Sequence, residues 1–118
     1  MTHYRIIVKS HTPLTHDDKR YPELLREGLK SPHAAVRDDA YFFLDSVPFP
    51  VEERISFVHA GLRDPAARVR YWATSYYDRE NMSDQDWDLL RKAADQEKDK
   101  QTLKEMKEVL GKVGHCGR

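Results

Sequence analysis

Apolar residues recur along this chain at helical spacing, in stripes separated by proline and by short polar turns. Leu24, Leu25 and Leu29 make the first stripe, and Pro22 stands in the first turn, where a missing N–H costs nothing; a helix is expected from about Pro22 to Lys30. Ser31 and Pro32 read as the N-cap and first position of a second helix. Val36, Ala40, Phe43, Leu44 and Val47 mark its inner face, and Pro48-Phe49-Pro50 stops it. The third helix opens at Pro50 with Glu52 and Glu53 in its acid-favouring first turn, a stripe of Ile55, Val58 and Leu62, and Phe57 and His59 beside the stripe. Asp64-Pro65 starts a fourth, with Val69, Ala73, Tyr76 and Tyr77 facing inward. Ser83 and Asp86 have capping-box spacing ahead of Trp87, Leu90 and Ala94. A polar turn over 95–100 leads to a last helix carrying Leu103, Met106, Val109 and Leu110. The expected fold class is all-α.

The stripes are copies of one another. Gly28-Leu29-Lys30-Ser31-Pro32-His33-Ala34-Ala35-Val36-Arg37 returns as Gly61-Leu62-Arg63-Asp64-Pro65-Ala66-Ala67-Arg68-Val69-Arg70, an offset of 33 residues from Gly28 to Gly61. A repeat of this length is a supersecondary unit that cannot bury its apolar face alone and stacks on its neighbours. Helix pairs are expected over 22–47, 50–79 and 83–113, all within one repeat domain, 22–113, followed by a tail over 114–118. In the third pair the same offset of 33 places Leu103 on Arg70 and Glu97 on Asp64, so the decapeptide is lost there. Residues 1–21 read as an irregular segment in which Tyr4, Ile7 and Val8 cap the open face of the first repeat, with a loop over 10–20; a docking role is the alternative.

Over residues 22–78 the pattern resembles HEAT-type repeats, in particular the short HEAT-like units of phycobilisome lyases. The residues that carry the resemblance are Leu62, Asp64, Pro65, Val69, Arg70 and Ala73, with Leu29, Pro32, Val36, Arg37 and Ala40 one repeat earlier. The resemblance implies a right-handed α-solenoid of about three helix pairs, first helices convex and second helices concave. It also implies a ladder of turn aspartates and arginines between repeats, formed here by Asp64, Arg70 and Arg37. Ser31 takes the aspartate's place in the first repeat, so Arg37 needs another acid, with Asp64 the candidate, and the third repeat holds neither residue. HEAT units mostly serve as protein-binding scaffolds, an analogy of fold and not of site.

Charge narrows the partner. Twenty bases balance twenty acids. The balance roughly holds along the chain, with six bases and four acids over 1–30, five and seven over 31–78, and nine and nine over 79–118; no segment is a basic arm or an acidic tail. Asp38, Asp39, Asp45 and Asp78 lie among the arginines of the second helices, which disfavours nucleic acid. The start lacks the apolar run of a secretory leader, and no stretch approaches the ~20 apolar residues of a membrane span, so a cytoplasmic protein without a membrane partner is expected. Cys116 is the single cysteine, which suits a reducing compartment.

No metal, cofactor or catalytic group is expected. Of the six histidines, His3, His11, His16 and His115 sit toward the ends, and no pair has ligand spacing on a helix; His59 reads as a hydrogen-bonded interior residue. No phosphate loop, nucleophile elbow or dinucleotide fingerprint occurs. The candidate chemistry is instead a partner-binding patch on the second helices, where Tyr41, Phe42, Tyr71 and Trp72 lie off the core stripes, with Asp38, Ser75 and Asp78 beside them. The copies of the repeat differ there, Asp38 against Tyr71 and Tyr41 against Thr74. The function expected is non-catalytic binding of another protein. A bacterial immunity or antitoxin-type inhibitor of a toxin is one specific version, a nucleic-acid-binding HEAT-like protein a second alternative, and homo-oligomerisation through an uncapped end a third.

Overall fold

Proline and short polar side chains decide where the helices of this chain begin. The structure, a computed structural model, describes residues 19–112. The N-terminal cap segment with Tyr4, Ile7 and Val8, the terminal histidines and the tail with Cys116 lie outside the described residues. Those residues form six α-helices and one short 3-10 turn, and no strand occurs among them. The chain divides into two compact units between Pro50 and Val51.

In the first unit α1 spans Tyr21–Leu29 and α2 spans Ala34–Phe42. Tyr21, at the first position of α1 and not in a preceding cap, is fully buried with Leu25, and Leu29 lies beside them in the core. The second helix starts later than Ser31-Pro32 suggests. Ser31 Oγ accepts from the His33 amide at 3.1 Å, a hydroxyl turn two residues long, and helical bonding starts only from His33. The helix also ends earlier, at Phe42, because Ser46 Oγ donates to the Phe43 carbonyl at 2.6 Å and tightens the chain into the 3-10 turn Leu44–Ser46. That hydroxyl, its proton given away, accepts from the Tyr21 phenol at 3.1 Å. Leu44, Val47 and Phe49 stay buried, and the Arg26 guanidinium lies 4.8 Å from the centre of the Phe49 ring.

The second unit contains α3 (Val51–Leu62), α4 (Ala67–Ser75), α5 (Asp84–Gln96) and α6 (Lys100–Lys112). α3 packs on α4 and on α5, and α6 packs on α4 and on α5. Val58, Val69, Ala73, Leu90 and Met106 are fully or almost fully buried between them. Tyr76 and Tyr77 are buried just past the end of α4, and Tyr77 meets Trp87 edge-on at 5.1 Å. The expected capping box is present: Asp86 N donates to Ser83 Oγ and Ser83 N to Asp86 Oδ2. Leu103, placed in the last apolar stripe from its spacing, is half-buried, and Thr102 takes the inner position. The hydroxyl of Thr102 serves two acceptors, Asp99 Oδ2 at 2.7 Å and the Ala67 carbonyl at 3.2 Å, so its burial leaves no polar atom unmatched.

Three polar links join the two helix pairs of this unit. Arg54 grips Glu80 with two nitrogens at 2.8 and 3.1 Å. His59 Nε2 meets Asp86 Oδ1 at 2.7 Å. Arg70 grips Glu97 through Nε at 2.7 Å and Nη2 at 2.8 Å, while its third nitrogen donates to the carbonyls of Asp64 at 2.8 Å and Pro65 at 3.0 Å. The arginine therefore does not pair with the aspartate of its own turn. The Asp64 carboxylate accepts the Ala66 amide at 2.8 Å, and the acid for Arg70 comes from the third repeat, 33 residues beyond Asp64. Arg37 makes the same contact to its turn in the first unit, donating to the Ser31 carbonyl at 2.9 Å.

The Glu97 side chain is almost wholly buried, and a two-point guanidinium–carboxylate pair is among the stronger polar contacts. Glu97→Ala is expected to lower unfolding stability by about 2 kcal/mol, and Glu97→Gln, which keeps one acceptor, by roughly half that. Urea melts followed by helical circular dichroism measure both.

Candidate functional site

Two surfaces of the second unit bring chemistry-bearing side chains together. The first is the outer side of α4. Tyr71 and Trp72 are consecutive, half-buried, and packed edge-to-face with ring centres 5.2 Å apart. The Arg68 guanidinium lies 5.6 Å from the Trp72 ring centre. One edge-to-face pair and a stacked cation hold both rings in place, which lowers the entropy a partner would otherwise have to freeze out.

The other residues expected in this patch are placed differently. Ser75 turns its hydroxyl back to the Trp72 carbonyl at 2.7 Å. Asp78 is exposed and accepts from Lys112 Nζ at 3.2 Å. Asp38, Tyr41 and Phe42 belong to the first unit. Asp38 is half-buried and Phe42 is 46% exposed, its ring edge-on to Phe43 at 4.8 Å. Tyr41 is only 2% exposed and cannot be a surface contact. Asp39, taken as one of the surface acids, is buried too. The buried arc of α2 takes in Asp39, Ala40 and Tyr41 together, wider than the stripe drawn from apolar spacing.

The second surface is a cleft of about 540 Å³ between the C-terminal parts of α3 and α5. Leu62, Leu89 and Ala93 give it an apolar floor, with His59 and Gln96 beside them. Arg63, Lys92 and Lys98 stand at its rim, and the Arg70–Glu97 pair and Asp64 close one side. Pattern reading gave Leu62, His59, Asp64 and Arg70 core, interior and ladder roles and did not bring them together as a cleft. The cleft forms where two turns meet, and nothing in the periodicity of either helix marks it.

Three carboxylates of the second unit, Asp86, Glu97 and Asp99, are held ionised. Asp86 lies below the usual aspartate value: burial raises it, and the hydrogen bonds from Ser83 and His59 together outweigh that. Because an ionised carboxylate only accepts, His59 Nε2 carries the proton of their bond. Glu97 is lowered first by its hydrogen bonds from Arg70. Asp99 is lowered by the Thr102 hydroxyl and amide, which it caps. Glu105, on α6, moves the other way, raised by burial and by Glu108. The hydroxyls near the His59–Asp86 pair are turned to capping: Ser83 Oγ donates to Asp86 Oδ2 at 2.9 Å, and Tyr77 donates to the Asp86 carbonyl at 2.8 Å. The arrangement offers charge and apolar area to a ligand. Among the described residues no helix is long and apolar enough to cross a membrane.

Comparison of the chain with protein-family models, with curated proteins and with solved structures finds no match.

The lowered carboxylates fix the direction of the acid response. Their folded values lie below the ordinary 3.8 for aspartate and 4.5 for glutamate, so as pH falls the unfolded chain takes up protons first. Their contribution is complete above those ordinary values and is lost as pH drops through the lower folded ones. The urea midpoint is expected to hold from about pH 7 to pH 5 and to decline below about pH 4.5, with a shallower decline in Glu97→Gln. Midpoints measured across that range test it.

Proposed function

We propose that this chain is a small HEAT-like helical scaffold whose task is non-catalytic binding of another protein, with the Tyr71–Trp72 surface of α4 as the contact. The observation that carries the reading is the aromatic pair itself. Two large rings stand partly open on a second helix, fixed against each other and against Arg68. A tryptophan, a tyrosine and an arginine in one place are the residue types that dominate binding energy at protein interfaces.

The scaffold half of the proposal rests on the second unit. There the first helices of successive pairs, α3 and α5, lie against each other, as do the second helices, α4 and α6. This is the layering that stacked helical repeats use, and the polar links from Arg54, His59 and Arg70 each run from one pair to the next. With three large side chains on one exposed side of α4 and the opposite side packed on α3 and α6, the helix has one face for the core and one to offer. Phe42, on α2, stands 33 residues before Ser75 and adds exposed ring surface to the first unit.

The test is affinity capture of the partner from source-cell lysate by the full chain, followed by titration with the purified partner. Tyr71→Ala with Trp72→Ala is expected to weaken the complex by at least about tenfold at unchanged helical content, the effect of losing one hot-spot pair. Arg70→Ala, by contrast, is expected to lower the melting temperature with a smaller loss of affinity. Retention of the complex at full strength by the double aromatic variant would count against the surface named here.

A further inference from the structure

We propose that the cleft between α3 and α5 is a docking groove for an acidic peptide segment of a partner protein. One apolar side chain of that segment would sit on Leu62, Leu89 and Ala93, and its carboxylates would meet Arg63, Lys92 and Lys98. The site goes beyond the aromatic surface of α4 and does not depend on it.

The argument is the unequal occupation of the two signs of charge. The chain as a whole is neutral, yet the cleft is lined by four cations, Arg63, Arg70, Lys92 and Lys98, and by two carboxylates, Asp64 and Glu97. Both carboxylates are in use: Glu97 is held at two points by Arg70, and Asp64 accepts the Ala66 amide. Arg63, Lys92 and Lys98 are exposed and make no ion pair among the described residues. The rim therefore presents three positive charges outside any ion pair, and the two carboxylates of the lining are already engaged by Arg70 and by the Ala66 amide. The ends of α3 and α5 account for the position of two of them, since a helix C-terminus favours a cation close by. That half-charge stabilises them without neutralising them.

The shape selects a peptide over a single small anion. The cleft is large enough for a side chain and its flanking backbone, and its floor is apolar. An anion alone would leave Leu62, Leu89 and Ala93 wet. A segment with an apolar residue between acidic ones covers the floor and meets both walls, with Arg63 on the α3 side and Lys92 and Lys98 on the α5 side. Charge of this kind steers the encounter and sets specificity, and the apolar contact holds the complex.

Fluorescence anisotropy with the full chain tests the groove. The probe is a short fluorescein-labelled peptide with one leucine between flanking glutamates. Saturable binding is expected, weakening steeply as salt rises. Replacing the glutamates by glutamines, or combining Arg63→Glu with Lys92→Glu, is expected to weaken it by roughly tenfold or more, and replacing the leucine by serine by several-fold. Tyr71→Ala with Trp72→Ala is expected to leave it unchanged, which separates this groove from the α4 surface. Should Arg63→Glu reduce helical content, Lys92→Glu with Lys98→Glu, both at exposed positions, serves in its place. The proposal is overturned by an absence of saturation, by charge-reversed variants that bind as well as the parent, or by equal affinity for the serine peptide. A single-stranded oligothymidylate bound as tightly as the peptide would also overturn it, making the rim a general polyanion surface.

Discussion

The second unit depends on one guanidinium. Arg70 sits on α4, and its five N–H groups are shared between two turns: the carbonyls of Asp64 and Pro65 in the turn before its own helix, and the carboxylate of Glu97 in the turn between α5 and α6. A flat, rigid fork can satisfy backbone and carboxylate at once, and a lysine cannot. The arrangement fixes the relative height of the two helix pairs, because both turns must present their oxygens to one plane. It also sets what the cleft can offer. With Glu97 drawn toward Arg70 on one side, the exposed Lys98 is left on the open side.

The turns show how far a repeat can drift in residue type while keeping its chemistry. At three positions spaced by 33, Ser31, Asp64 and Glu97, the side chain accepts the backbone amide two residues on: His33, Ala66 and Asp99, at 3.1, 2.8 and 3.0 Å. A hydroxyl, a short carboxylate and a long one make the same bond. By letters the third repeat has lost the motif, and by hydrogen bonding it has not. The inner positions behave alike. Ala40, Ala73 and Met106, each 33 from the next, are all fully buried, and Val69 is matched by Thr102, whose hydroxyl borrows two acceptors to enter the core. Matching by identity relates two of these turns; matching by the role of each side chain relates all three.

The same distinction explains what the sequence made legible. Among the described residues, helix number, helix order and the capping box at Ser83 follow from apolar spacing and from short-range capping, both of which act over a few residues. The starts of α2 and α4 do not, because a serine or aspartate before proline has two local uses. It can cap the helix directly or close a small turn ahead of it, and the downstream arginine, by taking the turn's carbonyl, favours the second. Tyr41 and Tyr71 show where the site escaped the pattern. Both are off-stripe aromatics on second helices, yet Tyr41 is inside and Tyr71 half outside. Periodicity gives the direction of a side chain around its helix, and burial depends on how wide an arc the neighbouring elements cover.

Net charge hid the cleft for a related reason. Equal numbers of acids and bases in the chain, and near-equal numbers in each of three stretches of it, say nothing about which charges the fold consumes. In the second unit five acids cap and bridge: Asp64, Glu80, Asp86, Glu97 and Asp99 all hold backbone amides or basic partners. An acid suits those duties because amide donors are what helix N-termini leave unsatisfied, and a carboxylate accepts several at once. A base has no corresponding use at an N-terminus. At the cleft the two lining carboxylates are taken up in this way, while Arg63, Lys92 and Lys98 stay exposed.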